Sequence, residues 1–168
     1  MKQMTRANLE AAFAGESQAH MKYSIYAEKA EKDGFPEIAR LFKAIAYAEK
    51  VHAANHFRVL EGIGDTVTNL KHAMDGECYE TSEMYPAFDA VAKLQDEKAA
   101  VRSIFYALEA EKIHERMYND ARQLAQEGKD MASSHVYVCP VCGHTHIGSE
   151  APEKCPVCGV KKEKYLEF

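Results

Sequence analysis

The chain has 168 residues, of which 46% are hydrophobic and 28% charged, enough apolar material for a real core. With 9 Gly and 5 Pro it is excluded from the collagen-like and disordered classes, and a net charge of −5 excludes a nucleic-acid backbone as the main partner. No apolar run reaches the roughly 18 residues of a membrane span, and no signal-peptide core follows the first residues, so a cytoplasmic protein without a membrane partner is expected.

The first helix is expected from about Thr5, at its N-cap, to Lys32, where Asp33-Gly34-Phe35-Pro36 stops it. Pro36 suits the first turn of a second helix, which runs to about Glu61 and ends at Gly62 or Gly64. A longer connection, Asp65 to about Asn69, leads to a third helix that reaches about Leu94, with a kink or bulge at Pro86. The fourth runs from about Asp96 to Gly128. Two tight connections and one longer crossover predict an all-α, ferritin-like four-helix bundle over residues 1–130. A polar linker (Lys129 to Ser134) then leads to a Cys/Pro/Gly-rich tail, expected as a small second domain over residues 135–168.

The helical stripes contain carboxylates. The first helix repeats at Leu9, Phe13, Glu16, Tyr23, Ala27 and Ala30, and the second at Ile38, Leu41/Phe42, Ile45, Glu49, His52 and Val59/Leu60. The third aligns Glu80, Glu83, Ala87 and Val91; the fourth aligns Val101, Ile104/Phe105, Leu108, Glu111, Glu115 and Tyr118, with His114 beside Glu111. Ala48-Glu49-Lys50-Val51-His52 returns 62 residues later as Ala110-Glu111-Lys112-Ile113-His114, and Glu16 is matched to Glu80 at an offset of 64. Two helix hairpins of similar design are therefore expected, each carrying one Glu-x-x-His and one further Glu.

An isolated buried carboxylate costs several kcal/mol, and Glu16, Glu49, Glu80, Glu83 and Glu111 have no Lys or Arg on these stripes to offset them. Cations from solution are the simplest answer. Glu and His at i, i+3 reach one ion together, and oxygen-plus-imidazole ligation suits Fe or Mn. Glu83 is a surplus carboxylate, which lets a two-iron site change oxidation state at constant net charge and so favours redox work over storage.

In the tail, Cys139-Pro140-Val141-Cys142-Gly143 and Cys155-Pro156-Val157-Cys158-Gly159 are two copies of one knuckle. Four thiolates so spaced hold Fe or Zn tetrahedrally. His144 and His146 are read as surface residues beside a complete set, and Cys78 as a small packing residue.

A Glu-rich four-helix domain with two Glu-x-x-His motifs, followed by a CPxCG…CPxCG tail, resembles rubrerythrin across essentially the whole chain. The resemblance rests on Gly15-Glu16-Ser17, Ala48 to His52, Tyr79 to Pro86, Glu111 to His114 and the two knuckles. It implies a non-haem peroxidase that reduces hydrogen peroxide to water, with two Fe held by Glu16, Glu49, His52, Glu80, Glu83, Glu111 and His114. One Fe is implied on Cys139, Cys142, Cys155 and Cys158 in a rubredoxin-like centre. It further implies a ligand exchange between His52 and Glu83, tyrosines near the irons at Tyr23 and Tyr85, and a homodimer or higher homo-oligomer. Gly62-Ile63-Gly64 is followed by Val67 where a dinucleotide fingerprint needs its third Gly, so a rubredoxin or an NAD(P)H-dependent reductase is the expected electron donor. A ferroxidase storing iron, a structural bundle with a zinc ribbon, and O₂ as the oxidant are the competing readings of the same residues.

Overall fold

The Ala, Glu, Lys and Leu that fill the first 126 residues are strong helix formers, and they build five helical stretches in this computed structural model, which describes residues 1–168. These are α1 (Gln3–Lys32), α2 (Pro36–Val59), α3 (Thr66–Tyr79), α4 (Tyr85–Leu94) and α5 (Lys98–Gln126). The tail adds β1 (His135–Val138), β2 (Thr145–Gly148) and β3 (Leu166–Glu167). Two compact units result, Met1–Gly64 and Asp65–Phe168.

The first unit is an antiparallel helix hairpin. α1 starts at Gln3, ahead of the expected Thr5, and Lys2 caps it without a side-chain hydrogen bond. Gly34 closes it in the left-handed region (φ 83°), which lets the Phe35 N–H reach the Ala30 carbonyl at 2.9 Å. Pro36 then opens α2, where its missing N–H leaves nothing unsatisfied. Across the hairpin Phe13 stacks on Phe57 at 4.9 Å, and His20 Nδ1 lies 2.8 Å from the Ala46 carbonyl oxygen. The buried seam is built of small residues, Ala27 and Ala30 on α1 against Ala39, Ala46 and Ala53, which recur every seven residues along α2. The stripe expected on α2 is not this seam: Leu41 is 59% and Ile45 39% exposed. Two helices cover only one face of each other, so this row is left for a further layer of structure.

In the second unit Asp65 accepts a hydrogen bond from the Thr68 N–H at 2.8 Å, so α3 begins at Thr66, not after Asn69 as expected. Between α3 and α4, residues Glu80–Met84 form a π turn in which the Tyr85 N–H bonds the Glu80 carbonyl, five residues back. Pro86 accounts for its place: a proline has no N–H to continue the ladder, and its ring crowds the preceding turn. The expected bulge is this widened turn. α5 packs against both α3 and α4.

The tail sheet has the order β2-β1-β3, all antiparallel. Gly143 and Gly159 end the two knuckles in the left-handed region (φ 78° and 76°), and each donates its N–H to the carbonyl of the knuckle's first cysteine at 2.9 Å. A Cβ on Gly143 would stand 3.8 Å from that of Ala110, so the first knuckle lies directly on α5. Tyr106 of α5, one turn before Ala110, packs against the cysteines. No helix is long and apolar enough to cross a membrane.

Candidate metal centres

The four cysteines expected from the knuckles converge. Their sulfur atoms lie within 4.8 Å of one another, with Cys139 Sγ 3.5 Å from Cys158 Sγ and Cys142 Sγ 3.4 Å from Cys155 Sγ, and none forms a disulfide. A tetrahedral ion at about 2.3 Å from each sulfur needs edges of about 3.8 Å, close to these separations. Burial pushes the Cys142 thiol up. Burial also raises Cys155, yet hydrogen bonds from Tyr165 and from the Cys158 and Val157 N–H groups outweigh it and bring the thiol down to about 6. The pocket thus prepares one thiolate by itself and needs a cation to hold all four. His144, expected at the surface, is only 5% exposed. Its Nδ1 lies 2.9 Å from Tyr165 Oη, because Tyr165, just ahead of β3, folds back over the first knuckle.

In the first unit Glu16 of α1 meets Glu49 and His52 of α2, with ligand atoms within 4.8 Å. His52 Nδ1 is 3.2 Å from Glu49 Oε2, the contact that i, i+3 spacing on one helix face allows. A hydrogen bond to Glu49 holds the Glu16 carboxyl above its ordinary value, and the same bond, with His52, holds Glu49 below. Two carboxylates held this close repel each other, and a cation between them would relieve that repulsion. Tyr23 stands in an aromatic group with Tyr26 and Phe42, at 6.3 and 6.2 Å between ring centres.

The second unit holds the matching triad, and one member differs from the expectation. Glu111 and His114 of α5 are joined by Glu77 of α3, not by Glu80. His114 Nδ1 lies 2.5 Å from Glu111 Oε2. Burial carries the Glu77 carboxyl up to about 7, with Glu111, Glu80 and Glu115 adding repulsion. Burial and the Glu111 charge also raise Glu80, which stands beside the triad, whereas Glu83 is exposed on the π turn. Burial raises the Tyr85 phenol, and the charges of Glu80, Glu111 and Glu77 raise it further, which places that ring against this triad.

The π turn explains the shift from Glu80 to Glu77. A phase set by Ala87 and Val91 does not extend backward across a turn that contains an extra residue. A signal was nonetheless present: Gly15-Glu16 returns as Gly76-Glu77, at an offset of 61, close to the 62 of the Glu-x-x-His repeat.

Comparison with known proteins agrees with these centres. The model of the Rubrerythrin family matches residues 7–122, and that of the rubrerythrin rubredoxin-like domain matches residues 137–165. The chain is 46% identical to Rubrerythrin-2 of Clostridium acetobutylicum, over 98% of this chain and 97% of that one. It is 34% identical to Rubrerythrin of Nitratidesulfovibrio vulgaris, over 96% and 92% of the two chains. Among solved structures, nigerythrin in a partially reduced state superposes with a TM-score of 0.59 at 34% identity, covering 98% of this chain and 86% of that one.

Proposed function

The chain belongs to the rubrerythrin family, and on that premise we propose that it is a peroxidase that reduces hydrogen peroxide to water in defence against oxidative stress. Two triads of identical make-up, one in each unit, together with a four-cysteine centre in the second unit, support this reading. Glu16, Glu49, Glu77 and Glu111 with His52 and His114 supply four carboxylates and two imidazoles, the donor set of a dinuclear carboxylate site. Carboxylate and imidazole donors suit iron, and the cysteine set suits a single iron that changes charge by one electron. When bound, the paired irons supply the two electrons that cleave the peroxide O–O bond, and the cysteine-held iron supplies electrons singly.

The protein's own groups do the rest. With Glu77 in the position of a ligand, the surplus carboxylate becomes Glu80, one turn along, and in place of Glu83 it would be the alternative to His52 as a ligand to one iron. Tyr85 keeps its proton beside Glu80 and Glu111, so its hydroxyl is available as a hydrogen-bond donor to an oxygen in the site. Tyr23, two turns along α1 from Glu16 and packed with Tyr26 and Phe42, is the corresponding phenol of the first unit. The first knuckle rests on Ala110, the residue before Glu111, so the route from cysteine sulfur to the second triad runs through contacts within one unit. Electrons arrive from a separate rubredoxin or NAD(P)H-dependent reductase. The enzyme works in the cytoplasm as a homodimer or larger homo-oligomer, a state that the open apolar row at Leu41 and Ile45 favours.

The test is the variant Cys142→Ser. Turnover driven by a reductase should stop, while one equivalent of peroxide should still oxidise the chemically reduced variant. Unchanged reductase-driven turnover would refute the relay.

A further inference from the structure

The two Glu-x-x-His repeats are alike in sequence and unlike in what stands behind the imidazole. The side chain of His52 is 54% exposed and meets Glu49 through Nδ1. His114 is held at both nitrogens: Nδ1 lies 2.5 Å from Glu111 Oε2, and Nε2 lies 2.8 Å from Thr145 Oγ1. Thr145 opens β2, just past the first knuckle, and its hydroxyl donates to the Gly143 carbonyl at 3.1 Å.

A hydroxyl carries one hydrogen. With that hydrogen given to Gly143, only a lone pair faces His114, so Nε2 of the ring must carry the hydrogen and donate it. Nδ1 is the nitrogen turned toward Glu111, at a distance that requires one hydrogen between it and Oε2, and an ion bound there would take the place of that hydrogen. A hydrogen on Nε2 is also what an ion held by Glu77, Glu111 and Nδ1 of His114 requires, since a metal-bound imidazole is normally fixed by a hydrogen bond from its other nitrogen. The knuckle can hold the hydroxyl in place for two reasons. Gly143 takes the left-handed backbone (φ 78°) that closes the knuckle on Ala110, and the Cys139 N–H bonds the carbonyl of His144, the residue before Thr145, at 2.9 Å.

We propose that Thr145 is a positioning residue: its single hydroxyl, held by the cysteine knuckle, fixes the tautomer and ring orientation of His114. The tail then has a second role beside electron supply, as the outer support of the second triad. This inference rests on the reading of that triad as half of a two-iron site, and adds a residue that neither Glu-x-x-His motif contains.

Two measurements test it. Resonances of isotope-labelled histidine nitrogens in the metal-free wild-type protein report where the ring hydrogens sit; a hydrogen on Nε2 of His114 is expected, and an Nε2 without one would overturn the proposal. Ferrous ion is also titrated anaerobically into protein whose tail already carries iron. Thr145→Val should weaken binding at the triad by about 10–100-fold, the usual effect of losing such an outer hydrogen bond. The sulfur-to-iron absorption of the tail should persist, and Thr145→Ser should restore affinity. Affinity in Thr145→Val within about two-fold of wild type would overturn the proposal. If that variant disturbs the tail absorption, the wild-type tautomer and the Thr145→Ser titration decide instead. A wild-type protein that loads its tail but binds no iron at the triad would refute the two-iron reading itself, while the tautomer still decides the role of Thr145.

Discussion

Glu77→Gln isolates the electrostatic load that the second triad places on the metal-free fold. A carboxyl titrating near 7 instead of the ordinary 4.5 is about half ionised in neutral solution and becomes fully ionised above it only against the preference of its surroundings. Each pH step between those values corresponds to about 1.4 kcal/mol, or about 3 kcal/mol in all if nothing screened the charge. Glu77 is only partly buried, so solvent screening reduces this to about 1 kcal/mol. The sign follows from proton binding: between 4.5 and 7 the folded form holds the proton that the unfolded form has released, so stability falls as pH rises through that window. Urea unfolding of metal-free protein, followed by helix circular dichroism, should show Glu77→Gln more stable than wild type by about 1 kcal/mol near pH 8, with the gap closing near pH 4.5. Iron should reverse the order, because the variant has lost a ligand. A gap that is absent, or that does not change with pH, would refute the placement of Glu77 among Glu111, Glu80 and Glu115.

Four other substitutions probe the remaining parts. His52→Ala should slow peroxide turnover by at least about tenfold while the tail keeps its iron absorption, measured by stopped-flow and absorption spectra. Glu83→Gln should leave iron content and turnover within about two-fold of wild type, whereas Glu80→Gln should slow turnover, so steady-state assays of the pair distinguish the π-turn carboxylates. Tyr165→Phe removes a hydrogen bond that holds the Cys155 thiol near 6; the thiol should then rise, and metal retention by the tail should fail at a higher pH than in wild type, as read by chelator competition.

What could be read from the sequence was the chemistry whose spacing is rigid. Glu49-Lys50-Val51-His52 and Glu111-Lys112-Ile113-His114 need only one helical turn to bring their ends together, and each CPVCG knuckle closes on itself through its glycine. Features set by longer-range geometry were harder to see. The π turn at Glu80–Met84 shifted the phase of the third helix and concealed Glu77. Asp65 was read as part of a loop although its carboxylate starts α3. The stripe of Ile38, Leu41 and Ile45 was identified as apolar, but the hairpin buries the alanines beside it, and periodicity alone does not say which of two apolar faces meets which neighbour. His144 carries no sequence mark of its burial, which depends on Tyr165 returning from the far end of the chain.

The central claim is that peroxide takes its electrons from iron held by this chain. Protein purified from iron-replete cells should contain about three irons per chain, two on carboxylates and one on cysteines. After anaerobic reduction, adding peroxide should restore the oxidised iron–sulfur colour as each peroxide removes two electrons. Peroxide left unconsumed by the fully loaded, reduced protein would contradict the account.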